Sequence, residues 1–487
     1  MREACGVIAI YGTGDDVAIQ TYFALYAVQH RGQESAGIVV GDGHELQSVK
    51  GMGLISGVFT PDQLERLRGH LAIGHCRYST MGSNREENVQ PVLQATDLGP
   101  IAVGHNGNIV NALELSAAAL NGEQVQATTD TAVIARLIAE APGASIGERV
   151  RRVVPRLQGS FCLVIATAKE IIAARDGMGN RPLSIGRVNG TWMLASETSA
   201  LDTIGAVFER DVRPGEIIVI DAQGLRSTQL ELPVRRATCA FEYIYFSRPD
   251  SVVEGAHVHT VRRHMGRLLA EQRPVEADLV VGVPDSAVAA ATGYAEASGL
   301  LYTDGFVRNR YIGRTFIEPT SQLRKLGARL KYNALPEVTG GKRVVMVDDS
   351  IVRGTTQTQL VALLREQGEA AEVHVRITSP PIRWPCFLGI DIPDPKELIA
   401  HELDPDSIRD RIGADSLEYL TTRHLLTAID RSREHLCLGC FNRDYPIDVQ
   451  LGFDKFVLEQ PRGLETAPVF PRQSTLLRAD SEREVVE

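Results

Sequence analysis

Residues 344–356 read VVMVDDSIVRGTT, and no other stretch of the chain limits its fold so sharply. An apolar run rich in β-branched valine predicts a buried strand, and it ends on two adjacent carboxylates, Asp348 and Asp349. A short Ser/Gly/Thr loop follows, and then TQTQLVALLREQG, whose spacing predicts a helix. Strand, loop and helix in that order form the unit of a parallel α/β sheet. From about residue 275 onward ADLVVGVP, SAVAAATGYAEASG and EAAEVHVRI continue the alternation. Ligands of such sheets bind beyond the carboxyl ends of the strands. There the loop amides and the helix N-terminus suit a phosphate, and the paired carboxylates suit ribose hydroxyls or a partly hydrated Mg²⁺.

The first ~230 residues carry a different pattern, with short apolar strands mixed with helices in a layered α+β arrangement. CGVIAIYG, SAGIVV, HLAIGHCRYST, IAVGHNGNIV and FCLVIATA predict strands. VAIQTYFALYAVQHRG predicts a helix stopped at Gly32, and TDTAVIARLIAEA one opened by a Thr or Asp cap. Cys5 begins the first strand. If Met1 to Ala4 are removed, Cys5 carries a free α-amine that titrates near ~7.7 and could take the thiol proton without a histidine. A cysteine packed as a small hydrophobe is the alternative.

Composition narrows the functional classes. The chain has 487 residues, is 44% hydrophobic and 23% charged, and so belongs with ordinary globular proteins of more than one domain. A net charge of -10 opposes a nucleic-acid coat or a polybasic membrane binder, although a local basic site is compatible with it. The sequence has no apolar run long enough to span a bilayer and no basic start to a signal peptide, so a cytoplasmic location is expected. Seven cysteines with a Cys437-x-x-Cys440 pair favour metal binding or catalysis over a disulfide framework.

CGVIAIYG, QHRGQESAGI, GHCRYST, GHNGNIVN and TTDT, in this order, resemble the class II glutamine amidotransferases, which are N-terminal-nucleophile hydrolases of αββα layering. VVMVDDSIVRGTT resembles the phosphoribosyl-pyrophosphate loop of type I phosphoribosyltransferases. Together, from Cys5 to Tyr445, the motifs resemble the family that combines both, the glutamine phosphoribosylpyrophosphate amidotransferases that open de novo purine synthesis. The resemblance implies a propeptide at 1–4, an amidotransferase domain at 5–234, a phosphoribosyltransferase domain at 235–460 and a tail at 461–487.

The same resemblance assigns roles. Cys5 would attack the glutamine amide, with Asn106 and Gly107 as the oxyanion hole. Arg77 and Asp130 would hold the amino-acid carboxylate and amine, with Arg31 and Gly32 beside them. Ser286, Asp348 and Asp349 would surround one Mg²⁺, although the residue after Ser286 is Ala287 where many members have Gly. Ser350, Gly354, Thr355, Arg314, Arg329 and Lys331 would meet phosphoribosyl pyrophosphate. Arg314 lies in a loop, residues 311–317, that closes over the sugar in the family and completes an enclosed ammonia path. Residues 308–331 carry seven basic side chains and one acid, which suits a polyanion; a solvated basic face is the alternative.

Cys239, Cys386, Cys437 and Cys440 would hold one [4Fe–4S] cluster, while four thiolates could equally hold zinc. Cys76 and Cys162 lie in apolar strands and read as packed thiols. A homotetramer inhibited by purine nucleotides is also implied. Two rival readings are a glutamine–fructose-6-phosphate aminotransferase, to which VVMVDDSIVRGTT is foreign, and a non-catalytic purine sensor or inactive relative that retains the phosphoribosyl-pyrophosphate loop.

Overall fold

A computed structural model describes residues 5–12, 14, 16–78, 82–118, 128–309, 331–392, 394–449 and 458. The expectations placed on residues 1–4, on 311–317 with Arg314, on Arg329 and on the tail lie outside the described residues.

The first half is a four-layer sandwich. A seven-stranded antiparallel sheet runs, edge to edge, through Val207–Asp211, Ser184–Val188, Thr191–Ala195, Gly6–Tyr11, Leu71–Arg77, Ser35–Gly41 and Leu46–Met52. A six-stranded antiparallel sheet faces it, ordered Gly224–Gln229, Glu216–Asp221, Ile171–Arg175, Gly159–Ala166, Ile101–Ile109 and Val92–Gln94. Side chains alternate faces along a strand, and both faces here are covered, which is why these strands read as unbroken apolar runs. Val7 and Ala9 point between the sheets, where they meet Ala102, Cys162 and Val164. Ile8 and Ile10 point outward, under the helix Val17–Ala27. The helices Asp130–Glu140 and Ile146–Val153 cover the opposite sheet through Ile134, Ile138 and Val150. Thr129 caps the former by accepting from the Ala132 amide, as the Thr/Asp start suggested.

The helix expected to run to Gly32 stops earlier. It ends at Ala27, and a 3₁₀ turn over Gln29–Arg31 replaces its last turn. The physical reason is Arg31, whose guanidinium is turned inward to buried carboxylates described below.

The second half holds a five-stranded, wholly parallel sheet ordered Leu301–Tyr302, Leu279–Gly282, Arg343–Asp348, Glu372–Ile377 and Ser416–Tyr419. Helices Val288–Ser298 and Thr355–Glu366 lie against it, and the sheet is buried on both faces. The strand ending in Asp348 occupies its centre. Between the halves a buried π-helical turn, Glu242–Phe246, follows the short strand Thr238–Cys239, which pairs in parallel with Leu436–Cys437. No helix among the described residues is long and apolar enough to cross a membrane.

Candidate active sites

Cys5 starts the strand at the centre of the first sheet and is 4% exposed. Its Sγ donates to the Tyr78 carbonyl at 3.3 Å and accepts from the Tyr78 amide at 3.4 Å. Burial pushes the thiol up to about 11, against the pull of the Tyr78 hydrogen bond and the Arg77 charge. At neutral pH it is therefore a thiol that needs a base before it can attack.

Cys5, Arg77, Gly107 and Asp130 line one cavity. Arg77 and Asp130 bring one cation and one anion to it, the pair that an amino acid's own charges require. Burial alone would raise the Asp130 carboxyl, but His105 and the amides of Ile109 and Thr131 hold it below its ordinary value, so it stays anionic.

Gly107 approaches its neighbour strand so closely that a Cβ would lie 1.9 Å from the Ser160 oxygen; no other residue fits. Asn106 is fully buried, and neither its Nδ2 nor its Oδ1 finds a hydrogen-bond partner among the described residues. An orphaned buried amide costs about 1–3 kcal/mol, so it marks a place where a bound oxygen would relieve the cost. Asn106 is not, however, among the residues lining the cavity; Gly107 is.

Sequence reasoning missed His105 and Gln90, which also line the cavity. Gln90 accepts from the His105 amide at 2.8 Å and donates to Thr131 Oγ1 at 3.0 Å, and the His105 ring sits 3.5 Å from Asp130 Oδ2. The buried histidine between glycines in GHNG was the available signal.

Arg31, expected beside the pocket, is not among the residues lining the Cys5 cavity: fully buried, its side chain is bound by Glu197 at 2.5 Å and by Glu242, with Ser247 Oγ at 3.2 Å. A guanidinium held by two carboxylates has little left for a substrate. Gly32 abuts the Cys76–Arg77 peptide, where a Cβ would come within 2.4 Å of the Cys76 carbonyl carbon. Glu242 also takes Arg181 at 3.2 Å, and Glu197 takes His30 at 2.7 Å and Ser251 Oγ at 2.7 Å. These contacts clamp the two halves together with buried charge.

In the second half Asp348 and Asp349 sit at the carboxyl end of the central strand. Ser286 Oγ and Ser350 Oγ both donate to Asp349 at 2.5 Å, while Gln357 Nε2 and the Asp349 amide donate to Asp348 at 2.8 and 2.9 Å. Burial, reinforced by the Asp349 charge, holds the Asp348 carboxyl well above its ordinary value. Gly354, at φ +78°, caps the helix Thr355–Glu366, and Thr355 is exposed at its first turn. Lys331, 5.0 Å from the Tyr332 ring, acts on Asp348 with its positive charge. Backbone amides at a helix start, which suit an anion, thus adjoin oxygen donors that suit a hard cation. Two carboxylates and a hydroxyl fit a Mg²⁺ that keeps much of its water.

Cys239 is paired with Cys437 across two parallel strands, and the Cys440 carbonyl accepts from the Arg383 and Trp384 amides at 2.9 and 3.0 Å. All seven cysteines are free thiols. Burial raises the Cys440 thiol, and Cys386, Cys437 and Cys239 raise it further, so the four lie within electrostatic reach of one another. Among the described residues, though, no three His, Cys, Asp or Glu side chains stand close enough to form a metal shell. The donor set fits a four-thiolate centre chemically. Cys76 and Cys162 are wholly buried in strands.

A glutamine amidotransferase domain family matches residues 75–203. The amidophosphoribosyltransferase of Mycobacterium tuberculosis is 48% identical over 461 residues, covering 92% of this chain and 87% of the relative. That of Bacillus subtilis is 46% identical, covering 92% and 95%. This chain belongs to the amidophosphoribosyltransferase family. Solved structures agree. The glutamine phosphoribosylpyrophosphate amidotransferase of B. subtilis, complexed with ADP and GMP, superposes with a TM-score of 0.85 at 46% identity over 91% of this chain and 97% of that one. The structure described as the allosteric regulatory enzyme of purine biosynthesis gives 0.86 at 47% identity, over 91% and 96%. The family's pairing of an N-terminal-nucleophile sandwich with a phosphoribosyltransferase sheet is the architecture described above.

Proposed function

We propose that Cys5 takes ammonia from glutamine and that the Asp348–Thr355 edge delivers phosphoribosyl pyrophosphate to it, giving 5-phosphoribosylamine, glutamate and pyrophosphate in the first committed step of purine synthesis. One observation carries this reading: a cavity joining Cys5, Arg77, Gly107 and Asp130 lies in the same chain as a strand ending in paired acids at a phosphate-binding helix start. A purine sensor would have no use for the first of these.

After removal of residues 1–4, the Cys5 α-amine takes the thiol proton. The Sγ–C bond forms, the C–N bond breaks, and the proton leaves with ammonia. Water then hydrolyses the thioester to glutamate. Arg77 and Asp130 orient the substrate, and the Gly107 amide, with the Asn106 side chain, faces the developing oxyanion. In the second site Ser350, Gly354, Thr355 and Lys331 bind phosphates, joined by Arg314 and Arg329. Ser286, Asp348 and Asp349 would hold one Mg²⁺, which when bound would neutralise charge on the pyrophosphate. Cys239, Cys386, Cys437 and Cys440 would hold a [4Fe–4S] cluster. We further read the protein as a cytoplasmic homotetramer and as inhibited by purine nucleotides; the ADP and GMP in the B. subtilis complex support nucleotide binding.

The test is Cys5→Ser. Glutamine-dependent synthesis should fall by at least about a thousandfold, while ammonia-dependent synthesis persists. Retained glutamine hydrolysis would refute the assignment.

A further inference from the structure

Gly107 is held from both sides. Its own strand-mate Ser160 fixes one side, and the other is covered by a loop from the far half of the chain. Gly389, at φ +99°, lies so close that a Cβ would stand 3.1 Å from the Gly107 carbonyl carbon and 3.2 Å from its Cα. The next residue along the strand, Asn108, is 2% exposed, and its Nδ2 donates to the Phe387 carbonyl at 2.9 Å across 279 residues of sequence. Arg181 Nη2 donates to the Leu388 carbonyl at 2.9 Å.

The loop is braced in turn. Leu388 N–H donates to Cys386 Sγ at 3.4 Å, the Phe387 ring meets Tyr445 edge-on at 5.2 Å, and the Tyr445 hydroxyl donates to the Pro385 carbonyl at 2.6 Å. Three consecutive residues of the transferase half are thereby spent on contacts with the amidotransferase half, directly behind the glycine whose amide faces the reacting carbonyl. Backbone donors work only when pre-set, because a donor that must move at the moment of reaction loses much of its value.

We infer that residues 386–389 form a strut through which the transferase half sets the oxyanion donor of the glutaminase site, with Asn108 and Gly389 as positioning residues. The inference rests on the reading of Cys5 and Gly107 given above. It implies that the glutaminase half, even when folded, is incompletely organised without the other half. It also distinguishes two kinds of loss. Damage to the strut weakens the transition state, which alone places charge at Gly107, and leaves ground-state binding of the amino acid by Arg77 and Asp130 intact.

The experiment uses the full chain with Gly389→Ala, which pushes a methyl group toward Gly107, and Asn108→Ala, which only deletes the strut hydrogen bond and is the milder variant should the first fail to fold. Ammonia-dependent synthesis serves as the check on folding. For each protein, kcat and KM for glutamine hydrolysis are measured, together with Kd for glutamate and for the γ-aldehyde analogue of glutamine. The aldehyde adds the Cys5 thiol across its C=O: the S–C bond forms, the thiol proton passes to oxygen, and that oxygen occupies the oxyanion position. The strut predicts a kcat lower by about tenfold or more, KM and glutamate Kd unchanged within about twofold, and aldehyde binding weakened in proportion to kcat. If wild type binds the aldehyde no more tightly than glutamate, the assignment of Cys5 and Gly107 itself fails. If wild type binds it tightly and both variants do so equally well, the site stands and the strut is wrong. A rise in KM with unchanged kcat would also overturn it.

Discussion

Glu242→Gln tests how the two halves are joined. Glu242 is fully buried and holds Arg31 and Arg181, and it also accepts from Ser247 Oγ at 2.8 Å. Burial would raise its carboxyl, but Arg31 and Arg181 pull it below its ordinary value, so it is ionised in the folded protein. Gln keeps the volume and one acceptor but removes the charge, leaving Glu197 as the remaining carboxylate of the clamp at Arg31. Removing one partner of a buried ion pair costs about 3–5 kcal/mol, and the retained acceptor places this case near the low end, at about 3 kcal/mol. The chain's two tryptophans give separate reports, because Trp192 lies in the first sandwich and Trp384 beside the short helix Gly439–Asn442 that carries Cys440. Urea unfolding followed through each, in Trp→Phe backgrounds, should show both midpoints falling.

The sign of the pH effect follows from the depressed carboxyl. Its stabilising contribution is complete above the unfolded value of about 4.3 and is lost as pH falls through the folded value, so the gap between wild type and variant should close in acid. Replacing Arg181 by Met in the Glu242→Gln background removes the cation left without its carboxylate, while Arg31 keeps Glu197, and should recover part of the loss. Unmoved midpoints, or a shift confined to Trp384, would refute the idea that this charge clamps the halves.

Asp348→Asn with Asp349→Asn should abolish synthesis from glutamine and from ammonia alike while glutamine hydrolysis continues; normal ammonia-dependent turnover would exclude the acid pair. Because burial and Asp349 raise the Asp348 carboxyl, stability is lost as pH rises from the unfolded value of about 3.9 through the raised folded one, so Asp348→Asn alone should raise the metal-free Tm more at alkaline than at acid pH and erase the shift produced by Mg²⁺. For the cysteines, protein purified without air should carry about four iron and four sulfide per chain. Cys386→Ser should lose the iron, whereas Cys76→Ser should keep it, and one zinc in an active, colourless preparation would replace the cluster reading with a zinc site. Since Cys386 begins the strut, its loss should also depress glutamine use more than ammonia use.

What could be read from the sequence was what lies close together along it. The strand, acid pair, loop and helix of residues 344–356 are contiguous, so their placement at the edge of a parallel sheet followed from local pattern alone. That Arg77 and Asp130 line one cavity with Cys5 was legible only so far as each sits in a short motif. Arg31 was not, because its fate depends on Glu197 and Glu242, 166 and 211 residues away, and no local spacing encodes such a partner. The same holds for His105, whose backbone amide is held by Gln90 and whose ring meets Thr131 Oγ1 at 3.3 Å, and for Gly389, an unremarkable glycine until Gly107 is found behind it. The early end of the first helix is a consequence of the same kind, since a long-range ionic demand on Arg31 overrode a favourable helical spacing.

These long-range contacts share a purpose that the chemistry requires. On the function proposed above, ammonia made at Cys5 would have to be used near Asp349 before water protonates it, so the two sites must keep a fixed relation. The Glu242–Phe246 turn touches both: Glu242 binds Arg31 and Arg181 of the first half, and Tyr245, whose hydroxyl is raised by burial and then by the charge of Asp349, faces the second site. Arg262, itself buried, fixes the turn between them by donating to the Tyr243 and Ser247 carbonyls at 2.9 and 2.7 Å. An apolar interface of equal area would tolerate sliding, since hydrophobic contact is non-directional. A clamp of charged hydrogen bonds at defined angles does not, and a buried pair broken by a small shift costs several kcal/mol. That asymmetry is a physical reason for a costly ionic network to occupy a place where apolar packing would have served stability as well.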